Sequence, residues 1–252
     1  MRRFFISVLA VLTLFSCTRY LAVNQINITG NSIINSSTPV NSTVETLVKP
    51  YRDSINSVMN KPIGVTATAL VKGKPESKLT NLVADVILKS GVDYCNEQGL
   101  NIHPDISYQN YGGLRASFPQ GKLTKGHVFE LMPFENEIVL IKISGESVQK
   151  MAGKIAARGG EGVAGMKMGI KNSEVKTLTV AGKEVDKNGT YWLVTNDYIA
   201  NGGDQMSMFT NPLEKIETKL KIRDLLIESL ANMYKKDGII DVKLDGRIYN
   251  EQ

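Results

Sequence analysis

Hydrophobic and polar residues along this chain follow two periods, one typical of helices and one typical of strands. Apolar residues three and four positions apart predict amphipathic helices, over about 42–59, 78–90, 124–131, 145–157 and 219–235. Runs that alternate or are β-branched predict strands, at 63–71, 106–108, 138–143, 175–180, 190–195 and 239–244. Because strands and helices do not alternate strictly, the expected fold class is α+β, with layered mixed sheets and flanking helices rather than a doubly wound parallel sheet.

Single residues refine the boundaries of these elements. Ser77 or Thr80 is expected to cap the second helix, and Gly91 is expected to close it. The glycine-rich stretch 159–169 is expected to be a loop, because clustered glycines usually interrupt helices and strands.

The first residues of the chain have the pattern of an export signal. Arg2 and Arg3 precede an unbroken apolar run, Phe4 to Phe15, which is shorter than the roughly 20 apolar residues that span a bilayer. The segment Leu14 to Cys17 is similar to the lipobox of bacterial lipoproteins, in which the cysteine is acylated and becomes the first residue. The alternative is an ordinary signal peptide in which Cys17 is incidental.

These features predict three regions along the chain. Residues 1–17 are interpreted as a lipoprotein signal peptide with lipid on Cys17, residues 18–41 as a tether rich in Asn, Ser and Thr, and residues 42–252 as one domain. The lipid would hold the protein on a membrane of the cell envelope, in the periplasm or at the cell surface. With Cys17 acylated, Cys95 has no partner, so no disulfide is expected.

Length and charge narrow the classes of function. The domain is long enough to bury its own hydrophobic core. The formal net charge of +5 is spread along the chain without a basic tract, and losing Arg2 and Arg3 lowers it by two. Nucleic-acid binding is therefore not supported, whereas a mildly basic surface suits an anionic small molecule.

Three segments carry a family likeness, and they occur in the family's order. Glu76 to Asp85 is similar to the family's Glu-(Ser/Thr)-x-x-Gly-Asn-Leu-x-x-Asp helix. Asn110 to Arg115, followed by Pro133 to Asn136, resembles its Asn-x-Gly-Gly-x-Arg turn and Pro-Phe-x-Asn segment. Thr195 to Asp204 resembles its Ala-Asn-Gly-Gly-Asp loop. Over nearly the whole predicted domain, the chain thus resembles the carboxy-terminal, substrate-recognition domain of the 5′-nucleotidase and UDP-sugar hydrolase family.

The resemblance implies a division of labour between two domains. These enzymes pair an amino-terminal dimetal phosphoesterase domain with a carboxy-terminal domain that holds the nucleoside. A dimetal centre needs several His and Asp ligands, whereas this chain has two histidines, His103 and His127, which belong to no such motif. We therefore expect no metal, cofactor or catalytic residue in this chain, no hydrolysis by the chain alone, and divalent metals in a separate metallophosphoesterase chain.

By the same resemblance, two aromatic side chains hold the base of the ligand. Phe134 and Tyr198 occupy the positions at which the family stacks a base between two rings. Such stacking contributes about 1–3 kcal/mol per base. The alternative is that both are core aromatics, but both lie beside turn residues rather than on the apolar face of an element.

The polar members of the predicted site each have an alternative role. The resemblance assigns Asn110 and Asn136 to the base, Arg115 to the ribose or phosphate, and Asp204 to sugar hydroxyls. The alternatives are a turn role for either asparagine, a solvated surface cation for Arg115, and a helix cap for Asp204. The glycines between Asn110 and Arg115, which are Gly112 and Gly113, would let the backbone approach the ligand closely.

The chain departs from the family pattern beside the first segment. Family members usually place an arginine shortly before the glutamate, whereas this chain has Lys72 and Lys74 before Glu76. A lysine could supply a point charge there but not a bidentate contact. The family's Gly before Asn-Leu is Thr80 here.

Three functions remain open at this point. The leading hypothesis is a nucleotide- or nucleoside-recognition chain that serves nucleotide catabolism together with a metallophosphoesterase domain on a separate polypeptide. The alternative is a surface lipoprotein that binds nucleosides or UDP-sugars with no hydrolase role. A third is an envelope protein whose site has decayed.

Overall fold

The computed structural model describes residues 30, 31 and 33–251. The predicted signal peptide, its lipidation site Cys17 and half of the predicted tether lie outside these residues. The chain divides into two units, Met1–Leu47 and Val48–Gln252. All of the strands described below belong to the second unit.

The helices of the described residues match most of the predicted ones. The predicted ranges 42–59 and 145–157 are confirmed to the residue, and the range 124–131 begins one residue later because Thr124 caps it. The α-helices are α1 (Ser42–Met59), α2 (Lys78–Glu97), α3 (Lys125–Leu131), α4 (Gly145–Ala157), α5 (Asp197–Ala200) and α6 (Ile222–Asp237).

The strands form one two-stranded, one five-stranded and one four-stranded sheet. They are β1 (Pro62–Thr66), β2 (Ile106–Gln109), β3 (Gly121–Thr124), β4 (Glu137–Ser144), β5 (Gly162–Ala164), β6 (Met166–Lys171), β7 (Glu174–Val180), β8 (Lys183–Glu184), β9 (Thr190–Asn196), β10 (Glu214–Lys221) and β11 (Ile248–Asn250). The sheet orders are β1-β3, β10-β4-β9-β2-β5 and β11-β6-β7-β8. Parallel and antiparallel pairs occur in both larger sheets, which confirms the predicted α+β class.

The five-stranded sheet is covered on both faces, because its central strands alternate the direction of their apolar side chains. Ile138 and Leu140 of β4 pack in one core cluster with the apolar faces of α2 and α6. Val139 and Ile141 pack in a second cluster with α4 and the four-stranded sheet. The sheet is therefore the middle layer of the domain.

Helix α2 confirms the predicted cap and corrects the predicted end. The Ser77 side chain accepts from Thr80 N at 3.1 Å, and Thr80 Oγ1 accepts from Ser77 N at 3.1 Å, so the two residues form a capping box. Gly91 does not close the helix, which continues to Glu97. A Cβ at Gly91 would lie 2.5 Å from a methyl carbon of Val194, so this glycine lets the helix pack closely on β9.

The prediction of a loop over 159–169 was wrong, because this stretch contains β5 and most of β6. Its buried residues Val163, Met166 and Met168 belong to the second core cluster. Gly165 connects the two strands at φ +76°, where a Cβ would lie 2.0 Å from the carbonyl oxygen of Asp105. The glycines here serve turns and close backbone contacts between strands.

The predicted start of the last helix and the predicted strand after it need correction. Residues 214–221 form β10, an edge strand paired with β4 whose residues are mostly solvent-exposed, so it lacks a run of apolar residues. Helix α6 accordingly begins at Ile222 instead of about 219. The predicted strand at 239–244 is a single bridge at Ile240, and the closing strand is β11. Strand β1 is likewise shorter than the predicted 63–71.

The apolar stripe of α1 is exposed along the helix. Its large apolar side chains are Val44, Leu47, Val48, Tyr51, Ile55 and Val58. None of the residues of α1 is buried. Among the described residues, no helix is both long and apolar enough to cross a membrane.

Candidate functional site

The segments that follow β2 and β9 and the segment that precedes β4 meet at one edge of the five-stranded sheet. Strands β2 and β9 are parallel, so the segments that follow Gln109 and Asn196 leave the sheet at the same edge. Strand β4 is antiparallel to β9, with Ile138 opposite Asn196, so the segment that precedes β4 lies there too. This strand order brings together residues that are 94 positions apart in the chain, Asn110 and Asp204.

All eight predicted ligand-binding residues line a single cavity at this edge. The cavity has a volume of about 390 Å³, within the range of small-molecule sites. Its lining residues are Asn110, Gly112, Gly113, Arg115, Phe134, Asn136, Tyr198 and Asp204. The binding roles of these residues remain predictions.

The two aromatic side chains of the cavity are not core residues. The exposed fraction is 52% for Phe134 and 49% for Tyr198. Both therefore present ring surface to the cavity instead of filling the interior, which excludes the alternative of buried aromatics. Exposed aromatic surface in a concave site is well suited to stacking on a flat ligand.

The turn after β2 is a 3-10 turn over Tyr111–Gly113. Its backbone closes through a hydrogen bond from Gly113 N to Asn110 O at 3.1 Å. A Cβ at Gly113 would lie 2.4 Å from Nε2 of Gln109 and 2.9 Å from Oδ1 of Asn110, so a side chain here would displace the ends of these two buried side chains. A Cβ at Gly112 would meet nothing closer than 3.8 Å, which leaves open space above this backbone.

The side chain of Asn110 joins the turn to the loop after β9. Its Nδ2 donates to Oδ2 of Asp204 at 2.7 Å. Its Oδ1 accepts from Nε2 of Gln109 at 3.0 Å and from Nδ2 of Asn196 at 3.2 Å. Asn110 is buried, and these contacts fix its position in the cavity wall. A contact between Asn110 and a base stays a prediction.

The loop after β9 places Tyr198 and Asp204 against each other. Asn196 caps α5 by accepting from Ile199 N at 2.8 Å. The hydroxyl of Tyr198 donates to Oδ1 of Asp204 at 3.0 Å, and Asp204 N donates to the same hydroxyl oxygen at 3.2 Å. The carboxylate of Asp204 is therefore held by the side chains of Tyr198 and Asn110 and does not cap a helix.

Gly203 lies directly under the ring of Tyr198. A Cβ at this position would lie 2.5 Å from Cε1 of Tyr198 and 2.6 Å from two further ring carbons. The next residue, Asp204, adopts φ +49°, a left-handed conformation that Asp tolerates better than most residues. The glycine is therefore needed for loop geometry, so that the ring can lie against the backbone.

Asn136 is held from the same loop. Its Nδ2 donates to Oδ1 of Asp197 at 2.7 Å, and its backbone oxygen accepts from Ile222 N at 3.0 Å. These two contacts tie the segment that contains Phe134 to α5 and α6. The three segments of the cavity thus brace one another through side-chain amides.

Sequence reasoning missed an ion pair between Glu161, whose side chain is buried, and Arg158, whose side chain is 25% exposed. Glu161 Oε2 accepts from the Tyr108 hydroxyl at 3.0 Å and from Tyr111 N at 2.7 Å. Glu161 Oε1 accepts from Nη1 of Arg158 at 3.3 Å, and Nη2 of Arg158 donates to the backbone oxygen of Asp204. The pair therefore contacts both the turn and the loop. Glu161 lies in the stretch 159–169 that was expected to be a loop, and Arg158 directly precedes that stretch.

Burial and charge shift two ionisable groups near this pair. Burial raises the pKa of Tyr108 well above its usual value, and the neighbouring carboxylate of Glu161 raises it further. Burial lowers the pKa of Lys72, and the positive charges of Arg115 and Lys74 lower it further.

The first motif segment does not reach the cavity. Glu76 accepts from the backbone amides of Asp245 and Gly246, both at 3.1 Å, and from Nδ2 of Asn81 at 2.6 Å. Asp85 pairs with Arg247 through two oxygens at 2.6 and 3.1 Å. This motif fastens the segment that leads to β11 onto α2.

The two histidines are not arranged as metal ligands. His103 is exposed. His127 Nδ1 accepts from Thr124 N at 3.1 Å at the start of α3. Within the described ranges, no three His, Cys, Asp or Glu side chains are grouped so that they could hold a metal ion. The donor groups of the described residues therefore do not form a dimetal site.

Comparison with known families and proteins gives a consistent match. The family model described as "5'-nucleotidase, C-terminal domain" matches residues 58–211. The Trifunctional nucleotide phosphoesterase protein YfkN of Bacillus subtilis is 27% identical over 237 residues, which cover 85% of this chain and 16% of that protein. Protein 5NUC of Lutzomyia longipalpis is 26% identical over 273 residues, which cover 92% of this chain and 47% of that protein.

Solved structures show the same fold. The 5'-nucleotidase precursor from Thermus thermophilus superposes with a TM-score of 0.68 at 24% identity, over 82% of this chain and 43% of that one. A putative 5'-nucleotidase from Staphylococcus aureus gives a TM-score of 0.64 at 16% identity, over 87% of this chain and 46% of that one. The chain therefore spans less than half of the length of these proteins.

Proposed function

The chain belongs to the 5′-nucleotidase C-terminal domain family, and on that premise we propose that it is a nucleotide- or nucleoside-recognition module of a 5′-nucleotidase-type phosphohydrolase. Its cavity takes the ligand, with the base between Phe134 and Tyr198. The catalytic metallophosphoesterase domain, with its divalent metals, is supplied by a separate chain. The module acts in nucleotide catabolism and is not active alone.

One observation carries this proposal: two half-exposed aromatic rings and four polar side chains, from three chain segments, line one cavity. Phe134 and Tyr198 offer π-faces, which stack on any base. Asp204 offers a carboxylate that can accept from sugar hydroxyls, and Arg115 a guanidinium that can donate to phosphate or ribose oxygens. The set matches the chemistry of a nucleoside with or without a phosphate.

The proposal that a separate chain supplies the catalytic domain rests on two features of the described residues. Its cavity is lined by residues of the segments that resemble the family's recognition motifs, and its described residues hold no group of three or more potential metal ligands. In the proposal, lipid on Cys17 anchors the chain to a membrane of the cell envelope. A partner held on the same membrane would be met at a raised effective concentration.

Ligand titration of the chain tests the recognition role. Adenosine, AMP and UDP-glucose are titrated by calorimetry against the wild type and against Phe134→Ala and Tyr198→Ala. Each truncation removes one stacking face and is expected to cost about 1–3 kcal/mol of binding free energy. Tyr51→Ala removes an aromatic ring that is 70% exposed on α1, outside the cavity, and is expected to bind as the wild type does.

The outcomes separate the competing functions. No binding of any of the three compounds, or equal binding by wild type and clamp variants, refutes the proposal and favours a decayed site. Binding together with metal-dependent AMP hydrolysis by the purified chain alone contradicts the separate catalytic chain. Binding without any effect on a co-exported dimetal phosphoesterase favours a nucleoside- or UDP-sugar-binding lipoprotein with no hydrolase role.

A further inference from the structure

The segment that carries Phe134 lies outside regular secondary structure. Residues 132–136 connect α3 to β4 and belong to no helix or strand. Phe134 is 52% exposed, so about half of its surface makes no packing contact. A ring in this situation binds a flat ligand at lower entropic cost when the backbone that carries it is already fixed.

The junction of β10 and α6 holds this segment on both sides of Phe134. Arg223 donates through Nη1 to the backbone oxygen of Met132 at 3.4 Å and through Nη2 to the carboxylate of Glu135. The ammonium of Lys221 donates to the same carboxylate. The hydrogen bonds from Lys221 and from Arg223 lower the pKa of Glu135, so this carboxylate is charged at neutral pH. Lys221, Glu135 and Arg223 thus form an ionic network beside the ring.

The guanidinium of Arg223 is buried at a cost in stability. Its side chain is 8% exposed, and its Cζ lies 4.0 Å from the centroid of the Phe129 ring. Among the described residues, its Nε is the one buried side-chain nitrogen or oxygen without a hydrogen-bond partner. A buried donor without an acceptor is unfavourable, so this arrangement is less stable than a fully paired one.

The backbone just before Lys221 is also locally unfavourable. Strand β10 leaves the register of its pairing with β4 after Glu217 and rejoins it at Lys221, opposite Glu137. Within this bulge Lys219 adopts φ +63°, a left-handed conformation that is uncommon for residues other than glycine. Bulges redirect the side chains near them, and unfavourable backbone conformations cluster at functional sites. This bulge directly precedes the two cations that reach the Phe134 segment.

We infer that this ionic network positions Phe134 for the ligand and that Arg223 is its central positioning residue. The inference rests on the proposed function and adds to the cavity three residues that do not line it. The network acts through the backbone of residues 132–136 and does not touch the ligand. When it is broken, the ring is still present, but binding has to order it. Affinity should then fall by about three- to tenfold.

The experiment measures the binding of adenosine to the full chain by NMR titration, at a temperature where circular dichroism shows the variants to be folded. Glu135→Ala and Arg223→Met each break the network and should bind adenosine about three- to tenfold more weakly than the wild type. The side chain of Glu135 is 57% exposed, so Glu135→Ala decides the question if Arg223→Met fails to fold.

Glu214→Ala is the matched control. Glu214 pairs with Lys142 at 2.7 Å across the same two strands, β10 and β4, and its side chain is 54% exposed. This pair lies at the other end of the strand pairing, away from Phe134. Glu214→Ala should therefore bind adenosine as the wild type does.

A double-mutant cycle separates positioning of the ring from general destabilisation. If the network acts through the ring, Glu135→Ala should change adenosine affinity by less than about twofold when Phe134 is already alanine. In Tyr198→Ala the Phe134 ring still stacks, so Glu135→Ala should keep its full effect there. Arg223→Met should follow the same pattern.

Each outcome decides the inference. A loss of at least about threefold that disappears in Phe134→Ala and persists in Tyr198→Ala supports it. A smaller loss in either folded variant, a loss that remains in Phe134→Ala, or one that vanishes in Tyr198→Ala overturns it. A wild-type chain that does not bind adenosine overturns the proposed function and the inference together, whereas normal binding without an effect of the network overturns the inference alone.

Discussion

Replacing Glu161 by glutamine should loosen both walls of the cavity at once. The glutamate side chain is 5% exposed and accepts from Tyr108, Tyr111 and Arg158. Glutamine has one acceptor oxygen and one amino group. Whichever way it is oriented, its amino group faces a donor, either the Arg158 guanidinium or the Tyr111 amide.

The magnitude follows from the contacts that are lost. A hydrogen bond to a charged group contributes about 1.5–3 kcal/mol, so Glu161→Gln should lower the free energy of unfolding by about that amount. Glu161→Ala removes all of these contacts and leaves the buried Tyr108 hydroxyl and Tyr111 amide without their acceptor, which should cost about 3 kcal/mol. Either change is a large share of a typical stability of about 5–15 kcal/mol.

Urea unfolding and ligand titration together test this reasoning. Because Glu161 holds the turn that contains Gly112 and Gly113, adenosine affinity should fall in Glu161→Gln at a temperature where the variant is still folded. Glu174→Gln, at a side chain that is 71% exposed and paired with Lys176, is the matched control and should change stability by less than about 1 kcal/mol. A Glu161→Gln variant with wild-type stability and affinity would refute a structural role for this carboxylate.

Two further predictions concern Tyr108 and Gly203. Burial raises the pKa of Tyr108 above its usual 10.0, so the unfolded chain loses this proton first as the pH rises. The free energy of unfolding should therefore decline above about pH 10. If this free energy has the same slope against pH in the wild type and in Tyr108→Phe, the prediction is contradicted. In Gly203→Ala the new Cβ would collide with the Tyr198 ring, so adenosine should bind at least about tenfold more weakly than to the wild type. Gly153→Ala is the control, because a Cβ there meets nothing within 4 Å, and it should bind adenosine as the wild type does.

Much of the fold was readable from the sequence because its helices follow local rules. The apolar period located α1 and α4 to the residue, and Ser77 was one of the two caps expected for α2, the other being Thr80. The errors occurred where tertiary packing overrides a local pattern. Gly91 sits inside α2 because β9 leaves no room for a side chain, and β10 is an edge strand with a mostly exposed, charged sequence.

The site was predicted through its motifs, and the structure adds how they are held. Phe134 and Tyr198 could be singled out from the segments that resemble the family, but their exposure is a property of the folded chain. Nothing in the sequence pointed to the Arg158–Glu161 pair, because the residues that it contacts are distant in sequence. Glu161 contacts Tyr111, and Arg158 contacts Asp204.

The sequence by itself determined the ranges of α1 and α4 and which segments carry the family motifs. It left the cap of α2 open between Ser77 and Thr80, and it treated α5 as part of a turn. Only the tertiary structure decided that the turn after β2, the loop after β9 and the segment before β4 share one edge of a sheet, and that the Lys72 ammonium donates to backbone oxygens of the turn. The physical reason is the separation along the chain of the residues that interact. Periodicity and capping depend on neighbours within a few positions, whereas strand order and the direction of a charged side chain depend on contacts between residues far apart in the chain.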